Sequence, residues 1–259
     1  MKLVDTHAHL YLPEFDTDRA DVVASAVAKG IETILLPNID SGSVGALLDM
    51  CNTFPAHCKP MMGLHPTSVK ADADQELQLV KDELEKGIYV AVGEIGIDLY
   101  WSVEYKDLQI NVFREQLRLA KKFDLPVAIH TREAFPLILD LVEQEMNSGL
   151  SGVFHCFSGS AEDASRIMEL GFMMGIGGVI TYKKSSLPEV VAGIPMEFLL
   201  LETDAPFLPP VPFRGKRNQS DYLIYVAQRL AEVKQLRLEE VAAQTTTNAL
   251  RLFSTTEQH

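Results

Sequence analysis

Short apolar runs rich in Val, Ile and Leu alternate along the chain with longer segments whose apolar positions recur every three or four residues. The short runs predict strands over Leu3–Thr6, Thr33–Pro37, Pro60–Leu64, Tyr89–Gly93, Pro126–Ile129, Gly152–Phe154, Phe172–Ile176 and Phe198–Leu201. The periodic segments predict helices over Asp18–Lys29, Ser43–Thr53, Ala73–Lys86, Lys106–Phe123, Phe135–Met146, Ala161–Leu170 and Ser185–Ala192. A last pair, Asp221–Val233 and Leu238–Phe253, closes the pattern. Gly30, Gly87, Gly149 and Gly171 stand where helices should stop. Pro206–Gln219 has four prolines and no periodicity, which predicts a long loop after the eighth strand.

Repeated strand-then-helix units over 259 residues have the size of one closed parallel barrel. The expectation is an α/β fold, a (β/α)8 barrel of the TIM type, as one domain over residues 1–259 with its site at the C-terminal mouth. A doubly wound sheet is the alternative, but it would gather its ligand at one switch point. Here the polar residues follow many different strands, which suits a barrel.

Hydrophobic residues make up 47% of the chain and charged residues 23%, so a large core forms without disulfides. The net charge of -13 repels polyanions at long range, so any nucleic-acid role must rest on a local site and not on a basic face. The three cysteines, Cys51, Cys58 and Cys156, are odd in number and follow no framework spacing, which points to a reducing compartment. Without an apolar leader or a run of 18 apolar residues, the reading is a cytoplasmic protein with no membrane partner. A monomer is compatible with all of this.

The chemistry lies at the strand ends. His7 and His9 follow the apolar start Leu3-Val4, and residues two apart on a strand share a face. One histidine alone would more often be a satisfied core residue; two at this spacing favour a shared cation. Glu94 ends Val90-Ala91-Val92-Gly93, where an unpaired carboxylate is costly, and its two oxygens suit a bridge between cations. Asp98 falls in the following loop, either supporting the ligands or as plain loop. His130, His155 and Asp204 end the fifth, sixth and eighth strands. Six such groups from five strand ends make a divalent-metal site the better reading. Imidazole and carboxylate without thiolate favour Zn²⁺, Mn²⁺ or Mg²⁺, and two cations can activate a water for attack at phosphorus.

Asp5-Thr6-His7-Ala8-His9-Leu10, Gly93-Glu94-Ile95-Gly96-Ile97-Asp98, His155-Cys156-Phe157-Ser158-Gly159 and Glu202-Thr203-Asp204-Ala205-Pro206 together resemble the TatD family of metal-dependent hydrolases, within the amidohydrolase superfamily. The likeness runs from Leu3 to about Phe253. It implies a TIM-type barrel that hydrolyses phosphodiester bonds in DNA. By that pattern His7, His9, Glu94 and Asp204 hold one cation, and Glu94, His130 and His155 hold the second. Asp204 also takes the proton of the attacking water, and Glu94 stands where related enzymes use a carboxylated lysine. His65, in Gly63-Leu64-His65-Pro66, resembles a substrate-side histidine; a helix-capping or loop role is the competing reading. Arg214 and Asn218 resemble a loop lining the substrate pocket, with Lys216 and Arg217 as a solvated basic stretch. Many relatives have two aromatics directly after Asp98; here Leu99 precedes Tyr100 and Trp101. The pair still suits base stacking, although Trp101 is expected mainly to pack its loop. Arg132 is a further anion contact, and Cys156 is expected to pack as a small apolar residue.

The leading expectation is a deoxyribonuclease, a 3′–5′ exonuclease on single-stranded DNA or strand ends. Hydrolysis of a small phosphoester, lactone, amide or aminoacyl ester by the same two-metal site is the alternative, since barrels keep their chemistry and change their loops. A non-catalytic module is disfavoured by the intact ligand set.

Overall fold

The structure is a computed structural model and describes residues 1–146 and 149–253. Eight parallel strands alternate with helices: β1 Leu3–Asp5, β2 Ile31–Pro37, β3 Cys58–Met61, β4 Val92–Asp98, β5 Val127–Arg132, β6 Gly152–Phe154, β7 Met173–Ile176 and β8 Leu199–Leu201. The intervening helices are α1 Arg19–Ala28, α2 Val44–Thr53, α3 Ala73–Leu84, α4 Lys106–Phe123, α5 Phe135–Glu145, α6 Ala161–Glu169 and α7 Leu187–Ala192, followed by α8 Leu223–Lys234 and α9 Leu238–Phe253. The chain is a TIM-type barrel. Its ladders run β1-β2-β3 and β4-β5-β6-β7-β8. Single bridges join the two sheets: Met62 pairs with Val92 and Ala8 with Ala205. The Thr6 N–H also donates to the Leu201 carbonyl at 3.1 Å.

The helices form where their apolar stripes find the sheet. In α4, Val112, Phe113, Leu117 and Ala120 are buried along one face, with Phe113, Leu117 and Ala120 at steps of four and three residues. Helix α6 starts at a capping box: Ser160 Oγ accepts the Asp163 N–H, and Asp163 Oδ2 accepts the Ser160 N–H. The lumen is filled by Val4, Leu35, Met61, Ala128, Val153, Met173 and Leu200, with Ala91 just before β4, and Ala249 and Phe253 of α9 pack against this layer. The lumen is therefore a solid core closed by α9 at the end opposite the strand C-termini.

This layer fixes which later residues face inward. Val153 and Leu200 point inward, so two- and four-residue steps carry His155, Glu202 and Asp204 the same way. Ala128 does the same for His130. Strand β4 needs more. It pairs Val92 with Val127 but Ile95 with Ile129, so it has one extra residue there. That residue flips the alternation, and Glu94, Gly96 and Asp98 share the inward side with His130. Strand β4 thus lies later than the expected Tyr89–Gly93, and β5 runs past Ile129 to Arg132. Asp98, expected in a loop, is instead the buried last residue of β4. At β1 simple alternation from Val4 would bring Thr6 inward; His7 arrives there because the chain leaves the strand after Asp5.

Among the described residues, no helix is long and apolar enough to cross a membrane. Phe253→Ala should cost about 3–5 kcal/mol in urea unfolding, the usual cost of emptying a fully packed aromatic site. A loss below about 1 kcal/mol would mean that α9 does not seal the lumen.

Candidate metal centre

The side chains at the strand C-termini line a cavity of about 500 Å³ that holds His9, His65, Glu94, His130, His155 and Asp204. A larger cavity of about 830 Å³, on the outside near α1 and α2, has several aspartates but no histidine, and the chemistry is not there.

Glu94 is buried at the centre and divides its oxygens between two imidazole pairs. Oε2 lies 3.1 Å from His7 Nε2 and 3.4 Å from His9 Nε2. Oε1 lies 2.9 Å from His130 Nδ1 and 2.8 Å from His155 Nε2. Within each pair the ring nitrogens face each other at 3.3 Å. Asp204 Oδ1 completes the first group, 3.9 Å from His7 Nε2 and 3.7 Å from His9 Nε2.

Hydrogen bonds behind two of these rings fix the protons of His9 and His130. The Tyr11 hydroxyl donates to the Pro37 carbonyl at 2.6 Å, so its oxygen accepts from His9 Nδ1–H at 3.0 Å. The inward His9 Nε2 is then a bare lone pair. His130 Nε2–H donates to Asp98 Oδ2 at 2.9 Å, leaving His130 Nδ1 bare and inward. His155 Nδ1 lies 3.6 Å from the buried Glu202 Oε1. His65 is arranged the other way round. Its Nδ1 accepts the Thr67 backbone N–H at 3.2 Å, so the neutral ring has Nε2–H aimed into the cavity, 3.2 Å from Glu94 Oε1. His65 therefore caps the short 3-10 turn Pro66–Ser68, as the competing reading had it, and its other ring nitrogen faces the cavity.

These donors fit divalent cations. Nitrogens bound about 2.0–2.1 Å from one tetrahedral ion stand about 3.4 Å apart, close to the spacing within each pair. The groups His7–His9–Glu94 and His7–His155–Asp204 each offer three ligand atoms within reach of one another. A third such group contains His65, whose inward N–H makes it a poor ligand.

Burial raises Glu94, but the surrounding imidazoles outweigh it and hold the carboxyl well below its usual range. Burial lowers His155, yet Glu94 and Glu202 outweigh it and raise the ring well above an ordinary histidine. Burial also lowers His7, with His155 adding to the effect. Asp204 is raised by burial to about 6, despite the histidines that pull it down. Asp204 and Cys156 both adopt left-handed backbone, with φ of 56° and 47°. Each turn is held by its own amide: the Asp204 N–H donates to the His7 carbonyl at 2.8 Å, and the Cys156 N–H to Glu202 Oε1 at 2.6 Å.

Residues 4–254 match the family model described as TatD related DNase. This chain belongs to the TatD family. It is 40% identical over 252 residues to the uncharacterized metal-dependent hydrolase YabD of Bacillus subtilis, covering 97% of this chain and 98% of that protein. The crystal structure of the TatD homolog YjjV from Escherichia coli superimposes with a TM-score of 0.93 at 32% identity, covering 98% of each chain. A TatD family hydrolase from Entamoeba histolytica, 21% identical, shares the fold at a TM-score of 0.83 over 99% of each chain. The protein is thus a metal-dependent hydrolase of the TatD family.

Two expected substrate contacts fall elsewhere. Asn218 is fully buried, and its Nδ2 donates to the Thr203 and Phe207 carbonyls at 2.7 Å each. It ties the loop to the Asp204 turn and does not line the cavity, so its part is structural. Arg214 lies 3.9 Å over the Tyr182 ring, on the wall of a neighbouring cavity. Arg217 is not a solvated charge: it grips both Asp18 oxygens, at 2.8 and 2.6 Å. Trp101 does not pack its loop. It is 70% exposed on the cavity rim beside Tyr100, whose ring lies 3.6 Å under the Arg132 guanidinium. Cys156 also lines the cavity and is not simply packed away.

Sequence reasoning missed Tyr11 and Glu202. The only signals were a tyrosine two residues after His9 and an acid two before Asp204, and neither spacing reveals a partner behind a ring.

Tyr11→Phe should weaken metal binding about 10- to 100-fold, the usual effect of losing the group that orients a ligand imidazole. Competition with a chelating dye would measure this, and unchanged affinity would show that the His9 tautomer is set otherwise.

Proposed function

We propose that the protein is a deoxyribonuclease, a 3′–5′ exonuclease on single-stranded DNA or strand ends, working as one catalytic barrel. The observation that carries the reading is the split carboxylate of Glu94 between two converging imidazole pairs, with a histidine N–H donor beside them. The family description as a related DNase supports the substrate class. A cavity of about 500 Å³ suits a terminal nucleotide better than a duplex. The excess of 13 negative charges argues against a duplex-wrapping enzyme.

His7, His9, Glu94 and Asp204 would hold one divalent cation and Glu94, His130 and His155 a second, with Zn²⁺, Mn²⁺ and Mg²⁺ all matching the donors. When bound, these ions would lower the pKa of the attacking water and offset charge on the phosphoryl oxygens. Asp204 would take the water's proton; its raised affinity for protons suits a general base. His65 Nε2–H would donate to a non-bridging phosphate oxygen. Arg132, stacked on Tyr100, would add charge at the rim where Trp101 offers a face to a base.

Metal-stripped protein refilled in turn with Mg²⁺, Mn²⁺ and Zn²⁺ should release mononucleotides from end-labelled single-stranded DNA, and Glu94→Ala should release none. No release with any metal would move the assignment to a small ester, lactone or amide. Asp204→Asn should lower kcat by about 10²–10⁴-fold, the range for a lost general base. Full activity of Asp204→Asn at equal metal content would remove Asp204 from that role.

A further inference from the structure

A second cavity, of about 530 Å³, adjoins the metal cavity, and Val179 belongs to the lining of both. Its other walls are Tyr182, Lys183, Lys184, Ser185, Val211 and Arg214. They come from two segments, one following β7 and the other following β8. Bonds across the gap hold the segments together. The Val211 N–H donates to Thr181 Oγ1 at 2.8 Å, and the Tyr182 hydroxyl donates to the Pro209 carbonyl at 3.0 Å. Gly178 allows the closest approach: a Cβ there would lie 2.1 Å from the Leu208 carbonyl oxygen. Arg214 flattened on Tyr182 completes the wall.

The charge of this cavity is the reverse of the molecule's. No Asp or Glu lines it. Many cations elsewhere meet carboxylates, as Lys29 meets Asp221, Lys121 meets Glu145 and Arg217 meets Asp18. Lys183, Lys184 and Arg214 form no ion pair with any of the described residues. In a chain with thirteen excess negative charges, three unpaired cations around one concavity are a local positive field that only an incoming anion neutralises. Between the two cavities runs an apolar lip, where Phe207, Leu208 and Val211 are all exposed.

We infer that this cavity is a second phosphate subsite, which holds the backbone of a single-stranded polynucleotide whose terminal nucleotide occupies the metal cavity. The inference rests on the nuclease reading above and extends it to a polymeric substrate. A chain crossing the Val179 wall meets apolar side chains that accommodate sugars and base faces. It then meets two lysines on flexible stems and one guanidinium, the combination that follows a backbone without reading sequence. A small ester confined to the metal cavity would gain nothing from these cations.

The test uses the metal-loaded protein and a labelled, hydrolysis-resistant phosphorothioate oligothymidylate, with anisotropy followed over a salt series. The plot of log affinity against log salt should be shallower for the Lys183→Ala/Lys184→Ala double variant by about 1.4, since each single-strand phosphate left without its lysine removes about 0.7 from the slope. Lys2→Ala/Lys59→Ala, at the opposite end of the barrel, should leave the slope as it is. With ordinary oligothymidylates, the KM penalty of the Lys183/Lys184 variant should grow from two nucleotides to eight. Equal slopes for wild type and that variant, or an equal change in the Lys2/Lys59 control, overturns the subsite even if hydrolysis is intact. A lysine-dependent slope with no hydrolysis of any phosphodiester by loaded wild type keeps the subsite and overturns the nuclease reading.

Discussion

The site depends on one carboxylate facing two ways. Glu94 is buried, and an isolated charge there would be expensive. Five imidazole nitrogens, the His65 donor and those of the two converging pairs, lie within 3.4 Å of its oxygens and make that position tolerable. Within each pair the facing ring nitrogens stand 3.3 Å apart, an arrangement that suits a cation between them. The polar contacts behind the rings serve this purpose: Tyr11 and Asp98 take up the outer protons of His9 and His130, so that the inner nitrogens remain free to bind.

The barrel is legible in the chain because its strands are buried on both faces and read as unbroken apolar runs between amphipathic helices. The candidate ligands are legible for a related reason: a polar group at the end of such a run is conspicuous. His130, His155 and Asp204 need nothing beyond alternation from the lumen residues before them. Glu94 and His7 reach the centre through local irregularities that no periodicity discloses, an extra residue in β4 and an early departure from β1. The loop after β8 is the least legible part. Arg214, Arg217 and Asn218 all look like surface polar residues, yet one stacks on a tyrosine, one pairs with Asp18 and one is buried. Loop side chains take their roles from distant partners, and sequence spacing says little about those.

The electrostatics divide by distance. Far from the molecule its net charge of -13 dominates and discourages association with polyanions. Within the mouth, the histidine cluster, Arg132 and the wall of Lys183, Lys184 and Arg214 set a different local field. A ligand that is small, or that enters end-first, feels mostly the second. The same separation holds for stability: the packed lumen and α9 lie at one end of the barrel and the polar residues at the other, so strain at Cys156 and Asp204 is borne by a core that it does not disturb.

The extra residue in β4 makes the site fragile in an unusual direction. Replacing Glu94 removes one group and leaves the others where they are. Pairing the same residues in a regular pleat from Val92 onward would instead swing Glu94 and Asp98 together toward the helices, with every side chain still encoded. For this strand, heredity must preserve the irregular step as strictly as the letters, because a smooth pleat would empty the centre of both carboxylates at once.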